Sequence, residues 1–339
     1  MPRTSSNNML LAIAATTIIC LIQQPIFAFT SAFNTYSEST LQRLAQASSL
    51  SYLSLDKMSS SPYYEKCQLQ PLIQVVDPES ESGATIFRAV PNNDDDTDND
   101  NDDINSNNNK SQKIIVACRG SANPKNFGTN LKFNLVPANR LSQNYIPENA
   151  LVHDGFQSAS VGLWKELSQP LEKLLNNGDD NETTTEIVFT GHSLGAATAL
   201  LCATHYNASH KNKHLPSSSS SSSSSMSPLS PPPPSIITFG GPKLCNSILA
   251  RHLRKDALEG WNILHLVHSK DPVLANNQVL WEKLGFEDVG IELECDPNSP
   301  IVFDAEEKVP EKSLFGGFAW NIVDHCKYMG VFVGPRAFF

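Results

Sequence analysis

Three kinds of residue, in a suitable order along the chain, point to nucleophilic catalysis. They are a serine in Gly191-His-Ser-Leu-Gly195, an aspartate after an apolar run, and one late histidine. Ser193 stands between the apolar stretch 186–190 and an Ala/Leu-rich stretch beginning at Leu194. A G-x-S-x-G serine at a strand-to-helix turn is held on strained backbone with its hydroxyl above a sheet. The flanking glycines let strand and helix approach closely, and the helix N-terminus aims N–H groups at a forming anion. Such a hydroxyl needs a base, and the base needs an acid to orient it. On this kind of turn the chain order is serine, acid, histidine. Asp271 is the preferred acid because it follows the apolar run 261–268, which Pro272 prevents from continuing; Asp288, Asp296, Asp304 and Asp324 remain alternatives. His325 is the one histidine after Asp271, so this order makes it the base. His265 and His268 precede Asp271 and read as strand residues with structural roles.

An acyl-transfer site also needs two donors for the oxyanion, and losing one typically costs about 10²–10³ in rate. The Leu194 N–H directly follows the nucleophile. Residues 114–118 form an apolar strand pattern ending in Arg119-Gly-Ser121, so Ser121 is the second candidate donor. Around these residues the pattern predicts a helix over 41–55, strands over 84–90 and 113–118, and a helix over 161–175. It continues with a strand over 186–190, a helix over 194–206, and strands over 236–239 and 261–268. Strands alternating with helices predict an α/β fold with a mostly parallel sheet.

Two stretches are too biased to join a core: residues 91–112, rich in Asn and Asp, and residues 215–235, with nine consecutive serines and then four prolines. Both are expected to be loop insertions, the first at a hairpin tip, where added length costs little closure entropy. The net charge is −10, and seven Asp against one Lys in residues 91–112 account for −6 of it. With no basic stripe, nucleic acid is not an expected partner. Residues 9–22 are mostly apolar behind Arg3 and are followed by Ala28-Phe29. This predicts a signal peptide over residues 1–28, entry to the secretory pathway, and no membrane span after cleavage. Phe29 after a small residue also resembles bipartite presequences of secondary plastids, an alternative destination. Six cysteines remain after the signal, which permits disulfides, although Cys118 and Cys202 fall in core patterns. No Cys/His spacing suggests a metal site. Asn109, Asn181 and Asn207 open glycosylation sequons in polar, loop-like sequence.

The segments Cys118-Arg-Gly-Ser121, Val152-His-Asp-Gly-Phe156, Gly191-His-Ser-Leu-Gly195, Thr238-Phe-Gly-Gly-Pro242, Asp271-Pro-Val273 and His325-Cys-Lys-Tyr328 follow in the order and rough spacing of a known family. They resemble the fungal lipase-like (class 3) family, and Leu44-Ala-Gln-Ala-Ser-Ser-Leu-Ser-Tyr52 is similar to its opening helix. The resemblance covers about residues 41–328. It implies an α/β-hydrolase fold in one domain over 29–339, hydrolysis of lipid carboxylic esters at a lipid–water interface, and no cofactor. By position it implies Ser193 as nucleophile, Asp271 as orienting acid, His325 as base, Ser121 and Leu194 as oxyanion hole, and His153 as a structural support. Residues 126–131 resemble the family's lid, with Phe127, Leu131, Phe133 and Leu135 facing an acyl groove. Phe127 stands where Trp is frequent, and Pro124 and Gly128 weaken a regular helix. The alternatives are an esterase for soluble esters, such as cell-wall phenolic esters, and a non-catalytic lipid-binding protein of the same fold.

Overall fold

The computed structural model describes residues 36–90, 112–120, 134–141, 146–176, 185–211, 232–295 and 322–334. The predicted signal segment, Asn109, Asn181, Ser121, the lid residues Phe127, Leu131 and Phe133, and the rival acids Asp296 and Asp304 lie outside the described residues. So do residues 91–111 and 215–231 of the two biased stretches. The chain divides into two compact units, Met1–Leu41 and Gln42–Phe339. Of the first, residues 36–41 are described, and they include the start of a helix.

The described helices are α1 (Glu38–Leu50), α2 (Leu55–Met58), α3 (Asp154–Asn176), α4 (Leu194–Lys211), α5 (Ser247–His252), α6 (Pro272–Lys283) and α7 (Ile322–His325). A π-helical turn, Leu253–Ala257, follows α5. The strands are β1 (Leu69–Val76), β2 (Gly83–Ala89), β3 (Gln112–Arg119), β4 (Leu135–Pro137), β5 (Leu151–His153), β6 (Thr185–His192), β7 (Ser235–Phe239), β8 (Cys245–Asn246), β9 (Asn262–Val267), β10 (Phe286–Glu287), β11 (Ile291–Glu294), β12 (Lys327–Tyr328) and β13 (Val331–Phe332).

One seven-stranded sheet has the order β1-β2-β3-β6-β7-β9-β11. β1, β2 and β3 pair antiparallel, and β3, β6, β7, β9 and β11 pair parallel. The central parallel strands β3, β6 and β7 carry apolar runs because both faces are covered. Ile114, Ile115, Val116, Ala117 and Cys118 of β3 are all buried, as is every residue of β7. On one face Ile114, Val116, Cys118, Phe189 and Ile236 share a core with Leu163, Leu167 and Leu171 of α3 and Leu200 of α4. Buried Ala196, Ala197, Ala199 and Ala203 let α4 lie close to the sheet. On the other face Ser48 of α1 bonds to Thr190 of β6 at 3.1 Å, and Ser49 donates to the Phe332 carbonyl at 2.7 Å.

The predicted α/β architecture is therefore observed. The sequence pattern missed β1 and α6 altogether, and the predicted elements depart mainly at their ends. The first helix stops at Leu50 rather than 55, because Tyr52 and Leu53 N–H groups bond three residues back and tighten the chain into a turn. α3 starts at Asp154, seven residues before the predicted start. Gly155, Ser158 and Ser160 weaken its local signal, while buried Phe156, Ala159 and Leu163 hold it through packing. Asn207, read as lying in a loop, is instead on α4 with its amide donating to the Ala257 carbonyl. The helix continues that far because Tyr206 and His210 stack at 4.0 Å. All six cysteines considered for disulfides are free, and Cys118 and Cys202 are buried neighbours. The proximity of Cys118 and burial both push the Cys202 thiol up.

Candidate active site

The turn after β6 is shaped by three residues. Ser193 has φ 57, a left-handed conformation costing a non-glycine residue about 1–3 kcal/mol. Its N–H donates to the Phe239 carbonyl at 3.0 Å, and its carbonyl accepts from the Ala196 N–H at 2.9 Å, so the strained turn is fixed on both sides. A side chain at Gly191 would collide with the Gly195 carbonyl, and one at Gly195 with the Cys118 carbonyl. These contacts bring the start of α4 against the end of β3, the strand that leads into Gly120 and Ser121. Leu194 is the first residue of α4, and the first N–H groups of a helix have no intrahelical acceptor.

Asp271 is fully buried and uses both oxygens. Oδ1 caps α6, accepting from the Val273 N–H at 2.8 Å and the Leu274 N–H at 3.3 Å. Oδ2 accepts from His325 Nδ1 at 2.8 Å and from the Tyr328 hydroxyl at 2.6 Å. The cap fixes the carboxylate's rotamer, and the carboxylate in turn fixes the imidazole tautomer. Nδ1 carries the proton and Nε2 the basic lone pair. Among the rival acids that are described, Asp288 pairs with Lys243 at 3.2 Å and Asp324 with Lys327 at 3.8 Å. The His192 ring, next to Ser193 in sequence, lies 4.7 Å from the His325 ring. The structure thus brings the serine turn, the acid and the histidine of the predicted constellation to neighbouring loops of the sheet.

Burial opposes the charge on Asp271, but His325, the Tyr328 hydroxyl and the Val273 N–H outweigh it and hold the carboxyl below its ordinary value of 3.8. A depressed folded pKa contributes stability that is present above 3.8 and lost as the pH falls through the folded value. Thermal unfolding midpoints are accordingly expected to drop below about pH 4, and Asp271→Asn is expected to flatten that part of the curve.

Sequence reading assigned no role to Tyr328, His192 or Tyr52, although all three stand in segments it had singled out. The phenol of Tyr328 is buried and pushed well up by burial and by Asp271, so it stays a donor. Tyr328→Phe leaves one carboxylate oxygen with a missing donor. It is expected to cost about 1.5–3 kcal/mol in denaturant unfolding, the range for a hydrogen bond to a charged group. Burial lowers the His192 imidazole to about 3, so it is neutral at every working pH. His265 bonds to Thr238 at 2.5 Å inside the sheet, in keeping with its structural reading. His153 ends β5, stacks on Phe156 at 3.9 Å and accepts the Phe156 N–H at 3.4 Å. No group of His, Cys, Asp or Glu side chains among the described residues could hold a metal ion. No helix among them is long and apolar enough to cross a membrane.

A mostly parallel sheet, with a serine turn after one strand and an Asp–His pair on later loops, defines an α/β-hydrolase. Residues 115–276 match the family model for lipase (class 3). It is 28% identical over 192 residues to phospholipase A1-II 1 of Oryza sativa subsp. japonica, covering 54% of this chain and 43% of that one. It is 25% identical over 195 residues to phospholipase A1-II 4 of the same plant, with the same coverage. The chain thus spans less than half the length of these curated relatives. Among solved structures, lipase II from Rhizopus niveus superposes with a TM-score of 0.53 at 17% identity, covering 90% of this chain and 98% of that one. The triacylglyceride lipase of Rhizomucor miehei gives 0.52 at 19% identity, covering 87% and 94%. These likenesses show the shared α/β-hydrolase fold.

Proposed function

We propose that this chain is a serine hydrolase that cleaves carboxylic esters of lipids through an acyl-enzyme. The observation that carries the reading is the buried His325–Asp271 pair, whose imidazole lies 4.7 Å from the ring of His192, the residue before a left-handed Ser193. In the proposed reaction His325 Nε2 takes the Ser193 proton as Oγ attacks the ester carbon. The tetrahedral oxyanion is received by the Leu194 and Ser121 N–H groups. His325 then protonates the leaving alcohol, and a water activated by the same nitrogen releases the acid. The residues supply every proton transfer this cycle needs, with no cofactor.

The lipid substrate class rests on the match to the lipase (class 3) model and on the similar proteins, which are phospholipases A1 and a triacylglyceride lipase. Phe127, Leu131 and Phe133 are proposed as lid and acyl-groove residues. The proposal extends to a secretory-pathway protein with one hydrolase domain over 29–339, resting on the apolar run 9–22 and the extent of the resemblance. The test is hydrolysis of p-nitrophenyl esters from acetate to palmitate, below and above their aggregation thresholds. Ser193-dependent turnover that favours long chains and rises on aggregation is the expected result. A preference for short monomeric esters would instead make the chain an esterase for soluble substrates.

A further inference from the structure

Two consecutive carbonyl groups of the segment carrying His325 are held by two buried histidines from different loops. His192 Nε2–H donates to the His325 carbonyl at 2.8 Å, and His268 Nε2–H donates to the Asp324 carbonyl at 2.8 Å. A carbonyl oxygen only accepts, so both imidazoles are fixed with the proton on Nε2. His192 immediately precedes Ser193, and His268 stands three residues before Asp271. One clamp continues further. Tyr52 places its hydroxyl 3.0 Å from His192 Nδ1, which can only accept, so the phenol donates. The Gly120 N–H reaches the Tyr52 oxygen in turn, and a side chain at Gly120 would collide with that hydroxyl. The end of β3, the serine turn and the His325 backbone are thereby linked through Tyr52 and His192.

The segment has little to hold it locally. α7 has four residues, far too few for a helix to persist by its own hydrogen bonds. Asp271 fixes one ring nitrogen of His325 and the Val333 N–H holds the Cys326 carbonyl at 2.7 Å, but neither bond reaches the carbonyls of Asp324 and His325 themselves. We infer that His192 and His268 are positioning residues, pinning the backbone of the proposed base to the nucleophile loop and to the acid loop so that Nε2 keeps its place beside Ser193. This rests on the reading of His325 as the base. Burial lowers both imidazoles below their ordinary value, and the carbonyl acceptors hold the proton on Nε2.

The test compares His192→Leu, which removes the donor and fills the space, with His192→Gln, whose amide N–H lies near the position of Nε2. Measured on p-nitrophenyl butyrate with the full chain, His192→Leu is expected to lower kcat by about 10²-fold at nearly unchanged KM, as misplacement by about 1 Å does. His192→Gln is expected to recover most of that loss, and the same pair at His268 to move in the same direction. Low-field proton NMR of the His325 Nδ1–H gives a readout independent of turnover. It is expected to be sharp in wild type and His192→Gln, and exchange-broadened in His192→Leu. Equal kcat in the Leu and Gln variants, or an unaltered low-field proton in His192→Leu, overturns the inference. If His192→Leu does not fold, the His268 pair makes the same comparison on the neighbouring carbonyl. A folded wild-type chain without turnover sinks the proposed reaction, and the NMR comparison then decides whether the clamps exist.

Discussion

Ser193→Ala is expected to lower kcat by about 10⁶-fold, the scale seen when a triad nucleophile is removed, while thermal unfolding hardly moves. The separation follows from what holds the turn. The bonds that fix residue 193 run through its own N–H and carbonyl to Phe239 and Ala196, and alanine keeps both. Alanine also meets the same strain at φ 57, so the backbone penalty is common to both chains. Ester hydrolysis followed beside calorimetry checks this. Activity within ten-fold of wild type would move the nucleophile elsewhere.

Asp271→Asn is expected to cut kcat by about 10⁴-fold, the loss that goes with a reversed imidazole tautomer. The cap explains the direction. An asparagine keeps its oxygen towards the Val273 and Leu274 N–H groups, since the opposite flip would set donors against donors. Its NH₂ then faces His325 Nδ1, which must accept, and the proton moves to Nε2, which can then no longer accept the serine proton. The same NH₂ also confronts the Tyr328 hydroxyl, so some stability is lost as well. A mild effect on kcat, measured in single turnovers, would mean that His325 is oriented by another group.

The parts of this fold that sequence reveals are those where local pattern and tertiary burial agree. β3, β6 and β7 are unbroken apolar runs because both sheet faces are covered, and such runs read as strands from either cause. β1 was missed because Pro71 interrupts its pattern, and it belongs to the sheet through pairing with β2, with a register shift between Pro71 and Ile73. The serine turn and the Asp271–His325 pair were legible because each residue is tied to chain order and to an element boundary. The partners of the base were not. Tyr328 ends the two-residue strand β12, Tyr52 follows α1, and His192 looks like a strand terminus. Only the folded arrangement shows that the first bonds to Asp271 and that the other two are linked to the His325 carbonyl. The sequon at Asn207 misled for the opposite reason, since its polar neighbours signal a loop while stacking and a carbonyl partner hold it in helix.

The most direct measurement of the central claim is covalent labelling of the full chain with an alkyl p-nitrophenyl phosphonate, the adduct being mapped by mass spectrometry. Release of p-nitrophenol is expected, with an adduct on Ser193 that is lost in Ser193→Ala and formed far more slowly in Asp271→Asn. A folded chain that stays unlabelled, or an adduct on another residue, would contradict that claim.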